Sequence, residues 1–170
     1  MTTETERNWY ALYCKSRHEF TVESELRRKE VDTFLPSVRV ARQWKDRKKF
    51  IDFPLFPGYL FVRIHERPDE YVHVLRTRGA VRIVSSEAGC PAPVSSEEIE
   101  SLKLIIKSGQ ALDIYPRLKE GVRAKVRRGP LAGAWGVISE KLEQYTFVVN
   151  VDILGRSVGI RIDAADIEPA

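Results

Sequence analysis

The sequence is poor in cysteine and contains no long apolar run. Its two cysteines, Cys14 and Cys90, are far apart and form no CxxC pair, which excludes a disulfide framework and the usual zinc-binding spacing. We expect two half-buried thiols in a reducing compartment. No stretch approaches the roughly 18 apolar residues of a membrane-spanning helix, and the polar first residues do not resemble a signal peptide. The sequence therefore predicts a cytoplasmic protein without a membrane segment.

Catalytic and metal-binding patterns are scarce as well. The sequence contains no GxGxxG, GxxxxGK[ST] or HExxH motif. Its three histidines, His18, His65 and His73, have no potential co-ligands at convincing metal-binding intervals. We therefore predict a protein that is not an enzyme and that holds no metal and no cofactor.

Basic residues exceed acidic residues modestly, but they are concentrated in one segment. Counts of 28 and 24 give a net charge of +4. Between Arg39 and Lys49 there are six basic residues and one acidic residue, flanked by runs that predict two strands joined by a basic hairpin tip. Such a tip can follow a phosphate backbone, and an indole can stack on an unpaired base. A solvated hairpin that only aids solubility fits the composition equally well. The candidate nucleic-acid-binding residues here are Arg42, Trp44, Lys45, Arg47, Lys48 and Lys49.

Patterns in the first part of the chain alternate between strands and helices. The run Trp9–Cys14 is aromatic and apolar without helical spacing and indicates a buried strand. The spacing of Ser16 and Glu19 is that of a capping box and predicts a helix start there. Further helices are predicted to start at Pro68 and Ser95. The side chains predicted to face inward from the first helix are Phe20, Val22 and Leu26.

The chain changes character after residue 107. Residues 108–118 lose periodicity and contain Pro116, which predicts a linker. Five short strands with glycine punctuation follow, and they indicate a small β-barrel. The predicted organisation is an α+β domain at residues 1–107, a linker at 108–118 and an all-β domain at 119–170.

Aromatic residues in the first part suggest a surface for a partner. Tyr59 and Phe61 are two residues apart on one predicted strand and therefore share a face, which Tyr13 could join from the first strand. An open aromatic patch would be a docking surface. Filling of the core beneath the helices is the alternative, and it is the more common use of such residues.

Several of these segments together resemble the NusG family. The resemblance rests on Trp9–Tyr13, on Leu55–Val62 with its central Pro57-Gly58 step, and on Gly121–Gly133, which is similar to the start of a KOW motif. It extends in the family's order over about residues 8–168 and includes the later turn at Ile153–Arg156. The resemblance implies a mainly antiparallel four-stranded sheet with flanking helices, followed by an SH3-like KOW barrel.

The resemblance also implies partners for the first domain. This domain would bind the clamp helices of the RNA polymerase β′ subunit and reach toward the β subunit. The positions that match the docking surface are Tyr13, Phe56, Tyr59 and Phe61. One edge would approach the non-template DNA strand or the nascent RNA. The residues that match this edge are Lys15, Arg17, His18 and Arg78. Arg76, near the end of the same predicted helix as Arg78, is a further candidate for nucleic-acid binding.

The KOW domain would recruit a further partner, either Rho or a small-subunit ribosomal protein. Its matching loop contains Leu131, Gly133 and Trp135, and the family often has phenylalanine where this chain has Leu131, which argues against binding of Rho. RfaH, a specialised paralogue, has a C-terminal domain that can become a helical hairpin. Here alternating residues such as Val122 and Val126 favour strands, so we predict a stable barrel.

The segments Tyr13–Lys15 and Tyr59–Val62 resemble RfaH, and Arg42–Lys49 resembles the UpxY type. The sequence thus favours an operon-specific antitermination factor, related to the RfaH, LoaP and UpxY paralogues, that acts as a monomer. One alternative is a housekeeping NusG that acts with Rho. Another is a KOW-type RNA-binding or ribosome-associated protein without polymerase contact.

Overall fold

The computed structural model describes residues 6–86, 89–117, 121–139 and 146–169. The chain divides into two units, residues 1–93 and 94–170. The first unit combines a sheet with helices, and the second is dominated by strands. The predicted change from an α+β class to an all-β class is therefore confirmed.

An antiparallel sheet forms the centre of the first unit. The strands of this part of the chain are β1 (Arg7–Cys14), β2 (Asp32–Phe34), β3 (Ser37–Trp44), β4 (Arg47–Pro54), β5 (Tyr59–His65), β6 (Ala80–Ile83) and β7 (Pro93–Val94). Strands β2, β5, β1 and β6 lie side by side in this order as antiparallel pairs. The predicted four-stranded sheet is confirmed, and the two-residue β7 adds a fifth strand by pairing with β1.

Helices α1 (Glu19–Arg28) and α2 (Pro68–Leu75) cover one face of this sheet. Tyr10 and Leu12 of β1 belong to the same buried cluster as Val22 and Leu26 of α1 and Val74 of α2. Because successive side chains of a strand point to opposite faces, the residues between them face the other way. Helix α2 begins with proline at its first turn, as predicted.

The start of α1 differs from the prediction. The residue before the helix is His18, and no side chain caps the helix N-terminus. The predicted capping box of Ser16 and Glu19 is therefore wrong. The Glu19 carboxylate is buried and accepts a hydrogen bond of 2.8 Å from the backbone N–H of Gly58 instead. Phe20, predicted to face inward, is 41% exposed.

Strands β3 and β4 form the predicted hairpin. They pair with each other from Ser37 opposite Pro54 to Trp44 opposite Arg47, and Lys45-Asp46 make the turn. The two strands constitute a separate sheet rather than an extension of the central one. We call residues 37–54 the ribbon.

The described residues of the second unit combine an α-helix with an antiparallel sheet. Its elements are α3 (Ser96–Lys107), β8 (Leu112–Pro116), β9 (Val122–Val126), β10 (Trp135–Ser139), β11 (Thr146–Val151), β12 (Arg156–Arg161) and β13 (Ile167–Pro169). The strand order is β13-β9-β10-β11-β12-β8. Helix α3 starts where predicted, because the Ser95 hydroxyl accepts a 3.2 Å hydrogen bond from the N–H of Glu97. None of the helices described here is long and apolar enough to cross a membrane.

The unit boundary differs from the predicted linker. Residues 112–116 lie inside the segment 108–118, yet they form β8 and pair with β12 along its length. Helix α3, assigned to the first domain from sequence, contacts β10 and β11 of the second unit. Pro116 suggested a linker, but β8 lies at the edge of the sheet, where proline is tolerated because one side of the strand needs no donor.

The two cysteines have different environments. Cys14 is buried in the core of the first unit, whereas Cys90 is exposed, contrary to the expectation of two half-buried thiols. Burial, followed by the nearby Glu19 carboxylate, raises the pKa of the Cys14 thiol to about 12. Cys14 therefore remains protonated and unreactive at neutral pH.

Candidate functional site

Three side chains form a row across one end of the central sheet, on the face opposite α1 and α2. Tyr13 of β1 lies opposite Tyr59 of β5, and their ring centroids are 5.3 Å apart. On the other side Tyr13 pairs with Arg82 of β6, whose guanidinium lies 5.6 Å from the tyrosine ring. Both tyrosines are partly exposed and Arg82 is exposed. We call these residues the tyrosine row.

The predicted docking phenylalanines lie deeper. Phe61 stacks on Phe34 of β2 with ring centroids 6.1 Å apart and an interplanar angle of 21°. Phe61 is fully buried, and Phe56 is only 4% exposed. Of the four residues assigned to the docking surface, only Tyr13 and Tyr59 therefore reach solvent in this structure.

The turn before β5 positions the tyrosine row. Gly58 has a φ of +87°, and a Cβ at this position would lie 3.2 Å from the Tyr13 ring. Its carbonyl accepts a 2.8 Å hydrogen bond from the N–H of Cys14, and its own N–H donates to Glu19. Glycine is needed here because it tolerates positive φ and allows close approach of the ring.

The structure brings the predicted basic edge together. The N–H of Lys15 donates a 2.8 Å hydrogen bond to the carbonyl of Gly79, which joins the β1–α1 connection to the turn after α2. Lys15 and Arg17 therefore share one end of the unit with Arg76 and Arg78, and all four are exposed. His18 is half-buried and packs close to the same turn, because a Cβ added at Gly79 would lie 3.0 Å from the Cβ of His18. We call these five side chains the basic junction: Lys15, Arg17, His18, Arg76 and Arg78.

The ribbon holds the remaining predicted nucleic-acid contacts. Every residue from 39 to 50 is exposed. Trp44 is 56% exposed, and the Lys49 ammonium lies 5.2 Å from the centroid of its ring. The basic candidates are not equivalent, however, because Lys48 projects from the face of the ribbon opposite to Lys49.

In the second unit the predicted partner loop connects β9 to β10. Leu131 is buried, whereas Gly133 is exposed with a φ of +93°. Trp135 is half-buried, and the cationic groups of Arg123 and Lys125 lie 4.9 and 5.4 Å from its ring. The burial of Leu131 makes it an anchor of the loop and not a contact surface.

Sequence reasoning missed Arg82, Arg123 and Lys125. Each lies beside a predicted aromatic residue only because a neighbouring strand pairs in a particular register. The alternation of charged and apolar residues in β9 shows that Arg123 and Lys125 share the outer face. No local signal identifies the strand on which the aromatic neighbour lies.

One pattern in the second unit has catalytic spacing. Gly155–Gly159 has the sequence GxSxG, which marks the nucleophile elbow of α/β-hydrolases. Ser157 is fully buried within β12, and its hydroxyl donates a 2.6 Å hydrogen bond to Asn150 Oδ1. A buried serine inside a strand cannot serve as a nucleophile elbow. Within the part of the chain that the structure describes, no three His, Cys, Asp or Glu side chains are grouped as metal ligands.

Comparisons with known proteins point in one direction. Residues 7–103, more than half of the chain, match the family model described as transcription termination factor nusG. The transcription termination/antitermination protein NusG of Halalkalibacterium halodurans is 28% identical over 177 residues, which cover 96% of this chain and 98% of the relative. The protein of the same name from Borreliella burgdorferi is 24% identical over 181 residues, with coverage of 95% and 98%.

A solved structure agrees with these relatives. The structure that describes the domain interaction in Thermotoga maritima NusG is similar with a TM-score of 0.51 and 26% identity. It covers 96% of this chain and 97% of that chain. The similarity thus includes residues of both units.

Proposed function

This chain belongs to the NusG family of transcription factors and is not an enzyme, and from that premise we propose that it is an elongation and antitermination factor that binds RNA polymerase. The observation that carries the proposal is the tyrosine row, in which exposed Arg82 and the partly exposed rings of Tyr13 and Tyr59 form a surface at one end of the sheet. Tyrosine and arginine, together with tryptophan, are enriched at the energetic centres of protein interfaces.

The polymerase would be bound through its β′ clamp helices. The rings of Tyr13 and Tyr59 offer apolar area with a polar tip, and Arg82 adds a donor for a carboxylate or a carbonyl of a helix. Phe61, two residues after Tyr59 on β5, shares its face and stacks on Phe34 of β2, and buried Phe56 lies in the connection that precedes Tyr59. A contact that also reaches the β subunit stabilises the closed clamp, so paused states that need an open clamp become less populated.

The basic junction lies next to this surface along the chain, because Lys15 follows the last residue of β1. We propose that Lys15, Arg17, His18, Arg76 and Arg78 approach the non-template DNA strand or the nascent RNA. Four exposed cations at one end of the unit attract phosphates over a distance of about 8–10 Å in physiological salt.

The second unit would recruit a further protein. Gly133 and Trp135 remain available at the surface, and Leu131 is the anchor beneath them. This surface could serve a small-subunit ribosomal protein or Rho. A buried leucine at the position where the family often has phenylalanine supports the ribosomal protein over Rho.

We propose an operon-specific role over a housekeeping one. The basic and aromatic composition of the ribbon, and the departure at Leu131, support a specialised member. Mapping of the protein on transcribed genes tests this point, since a specialised factor occupies few operons. Occupancy of most transcribed genes would contradict it.

Co-purification with core RNA polymerase tests the docking surface. The double substitution Tyr13→Ala and Tyr59→Ala should reduce binding at least about tenfold, because it removes both exposed rings of the row. Tyr59→Phe keeps the ring and should retain most of the binding.

Phe20→Ala provides the matched control. Phe20 is an exposed aromatic residue of the same unit on α1, which covers the opposite face of the sheet. Its substitution should leave polymerase binding unchanged. Wild-type binding by the double variant would show that the docking surface lies elsewhere.

A further inference from the structure

The ribbon is a two-stranded sheet of its own, and several of its large apolar side chains are exposed. Trp44 and Phe50 are 56% and 62% exposed, and Val40 and Phe53 are 40% and 36% exposed. A two-stranded ribbon gains little stability in water from such side chains. Exposed rings on an isolated ribbon therefore indicate an interaction surface.

The register of the two strands separates the ribbon into two faces. Residues directly opposite each other share a face, and Trp44 lies opposite Arg47 while Arg42 lies opposite Lys49. We call this side the stacking face; it comprises Val38, Val40, Arg42, Trp44, Arg47, Lys49, Ile51 and Phe53. The other side, which we call the reverse face, comprises Ser37, Arg39, Ala41, Gln43, Lys48, Phe50, Asp52 and Pro54.

The two faces differ in charge. The stacking face has three cations, Arg42, Arg47 and Lys49, and no carboxylate. On the reverse face Arg39 pairs with Asp52 at 3.5 Å, which leaves one net positive charge, that of Lys48. The unbalanced positive charge of the ribbon is thus concentrated on one side, where it complements a polyanion.

Cations and rings alternate on the stacking face. The Lys49 ammonium lies 5.2 Å from the Trp44 ring, and the Arg42 guanidinium lies 4.8 Å from the Phe53 ring. These cation–π contacts orient the side chains before any ligand binds. More than half of the Trp44 surface remains accessible for a planar partner.

We propose that the stacking face binds single-stranded nucleic acid, with Trp44 as the platform for an unpaired base and Arg42, Arg47 and Lys49 as phosphate contacts. This inference rests on the proposed contact of the first unit with nucleic acid, and it restricts that contact to one face of the ribbon. A single strand is favoured because a duplex keeps its bases stacked on each other and leaves the exposed indole unused. The strand can come from DNA or RNA, since the two share this chemistry.

Fluorescence anisotropy with the full chain tests the inference. The probes are a short labelled DNA strand of mixed sequence, the RNA strand of the same sequence and the DNA duplex. Both single strands should bind more tightly than the duplex, and the tighter of the two identifies the source. Trp44→Ala should weaken single-strand binding about tenfold, because stacking on the indole is lost, whereas Trp44→Phe should retain most of the affinity.

The ribbon offers a matched control for each change. Lys49→Gln and Lys48→Gln remove the same charge from neighbouring residues on opposite faces. Lys49→Gln should reduce the dependence of log K on log salt by about 0.7, as expected for one lost phosphate contact, and Lys48→Gln should not. Phe50→Ala removes an exposed ring from the reverse face and should leave the affinity unchanged.

Tighter binding of the duplex, or equal losses from Lys48→Gln and Lys49→Gln, would overturn the inference. An equal loss from Phe50→Ala and Trp44→Ala would do the same, because it would show that the ribbon acts only through its fold. If the wild-type chain bound oligonucleotides but not core polymerase, the proposed function would be contradicted. The inference about the stacking face would not be affected.

Discussion

At the scale of single residues, the Glu19 side chain connects the first turn of α1 to the turn that carries Tyr59. Its carboxylate is buried and accepts the N–H of Gly58 at 2.8 Å. The Gly58 carbonyl in turn accepts the N–H of Cys14, next to Tyr13. One side chain thus holds the two strand ends that present the tyrosine row.

Two substitutions of Glu19 should distinguish the stability that comes from its hydrogen bond to Gly58 from the stability that comes from its packing. We expect Glu19→Ala to lower the free energy of unfolding by about 2 kcal/mol, because the buried N–H of Gly58 loses its acceptor. Glu19→Gln keeps an acceptor oxygen and should cost less than about 1 kcal/mol. Urea denaturation measures both values, and equal losses in the two variants would exclude the hydrogen bond as the cause.

Glu98, in the first turn of α3, is a carboxyl group whose pKa is raised toward neutrality. Burial raises the pKa of its carboxyl to about 7, and the nearby Asp152 carboxylate adds to the rise. The backbone N–H of Asp152, which donates to Glu98, and the Arg117 guanidinium oppose it. Arg117 itself donates a 2.6 Å hydrogen bond to Asp152.

The sign of the pH dependence follows from this raised pKa. Between the ordinary carboxyl pKa and about 7 the folded chain binds a proton that the unfolded chain releases, so the contribution of Glu98 to stability is lost as pH rises. We expect the free energy of unfolding to fall by about 1 kcal/mol between roughly pH 5 and pH 8, allowing for solvent screening of this partly exposed group.

Glu98→Gln should remove this slope and make the chain more stable at the upper end of the range. Glu100→Gln is the matched control, since Glu100 is an exposed carboxylate of the same helix that pairs with Lys103 at 2.9 Å. Denaturant titrations across the range provide the measurement. A slope that persists in Glu98→Gln would assign the pH dependence to another group.

At the scale of elements, the close pairing of strand β10 with β11 depends on Gly136, which has no side chain. A Cβ at Gly136 would collide with the Val148 carbonyl oxygen of β11 and would lie 2.8 Å from Cζ of the buried Phe147 ring. The backbone of β10 can therefore approach β11 closely only with glycine at this position. Trp135, the neighbouring residue, presents its ring on the other side of the strand.

Gly136→Ala should disrupt the pairing of β10 with β11. We expect a loss of about 2 kcal/mol or more in the free energy of unfolding, because the clash is with backbone and with a buried ring that have little room to move. Val122→Ala, at a 60% exposed position of the adjacent β9, should change the stability by less than about 0.5 kcal/mol. Thermal unfolding followed by circular dichroism compares the two variants, and a stable Gly136→Ala chain would contradict this packing.

At the scale of the whole molecule, the chain consists of two units that divide after Pro93. The second unit includes α3, whose Ser101 hydroxyl accepts a 2.9 Å hydrogen bond from the N–H of Trp135. It also includes β8 at the edge of the sheet. Both elements lie before residue 119, where the sequence pattern placed the start of the barrel.

Two fragments distinguish these boundaries. Residues 94–170 should unfold cooperatively and should exceed residues 119–170 in stability by about 3 kcal/mol or more, because the shorter fragment lacks β8 and the buried apolar side chains of α3. Denaturation followed by circular dichroism measures both fragments. Equal stability of the two fragments would show that α3 and β8 do not stabilise the barrel, as expected if α3 belongs to the first domain and β8 to a linker.

Much of the architecture could be predicted because its signals are local. The signals of the apolar runs in β1 and β5, the alternation in β9, the turn between β3 and β4, and the proline at the start of α2 are all carried by neighbouring residues. The motifs, in their order along the chain, were sufficient to identify the family. The capping box was a wrong prediction because a carboxylate near a helix start has more than one available donor, and the choice of Gly58 depends on a turn 39 residues away.

The sequence by itself determined the change from an α+β to an all-β class, the basic ribbon and membership of the NusG family. Only the tertiary structure decided which candidate residues reach solvent: Tyr13 and Tyr59 do, whereas Phe61 and Leu131 are buried. It also added Arg82 to the tyrosine row and divided the ribbon into two faces of different charge. The physical reason is that period and turn chemistry act between neighbours along the chain, whereas exposure and cross-strand contacts depend on register between segments distant in sequence.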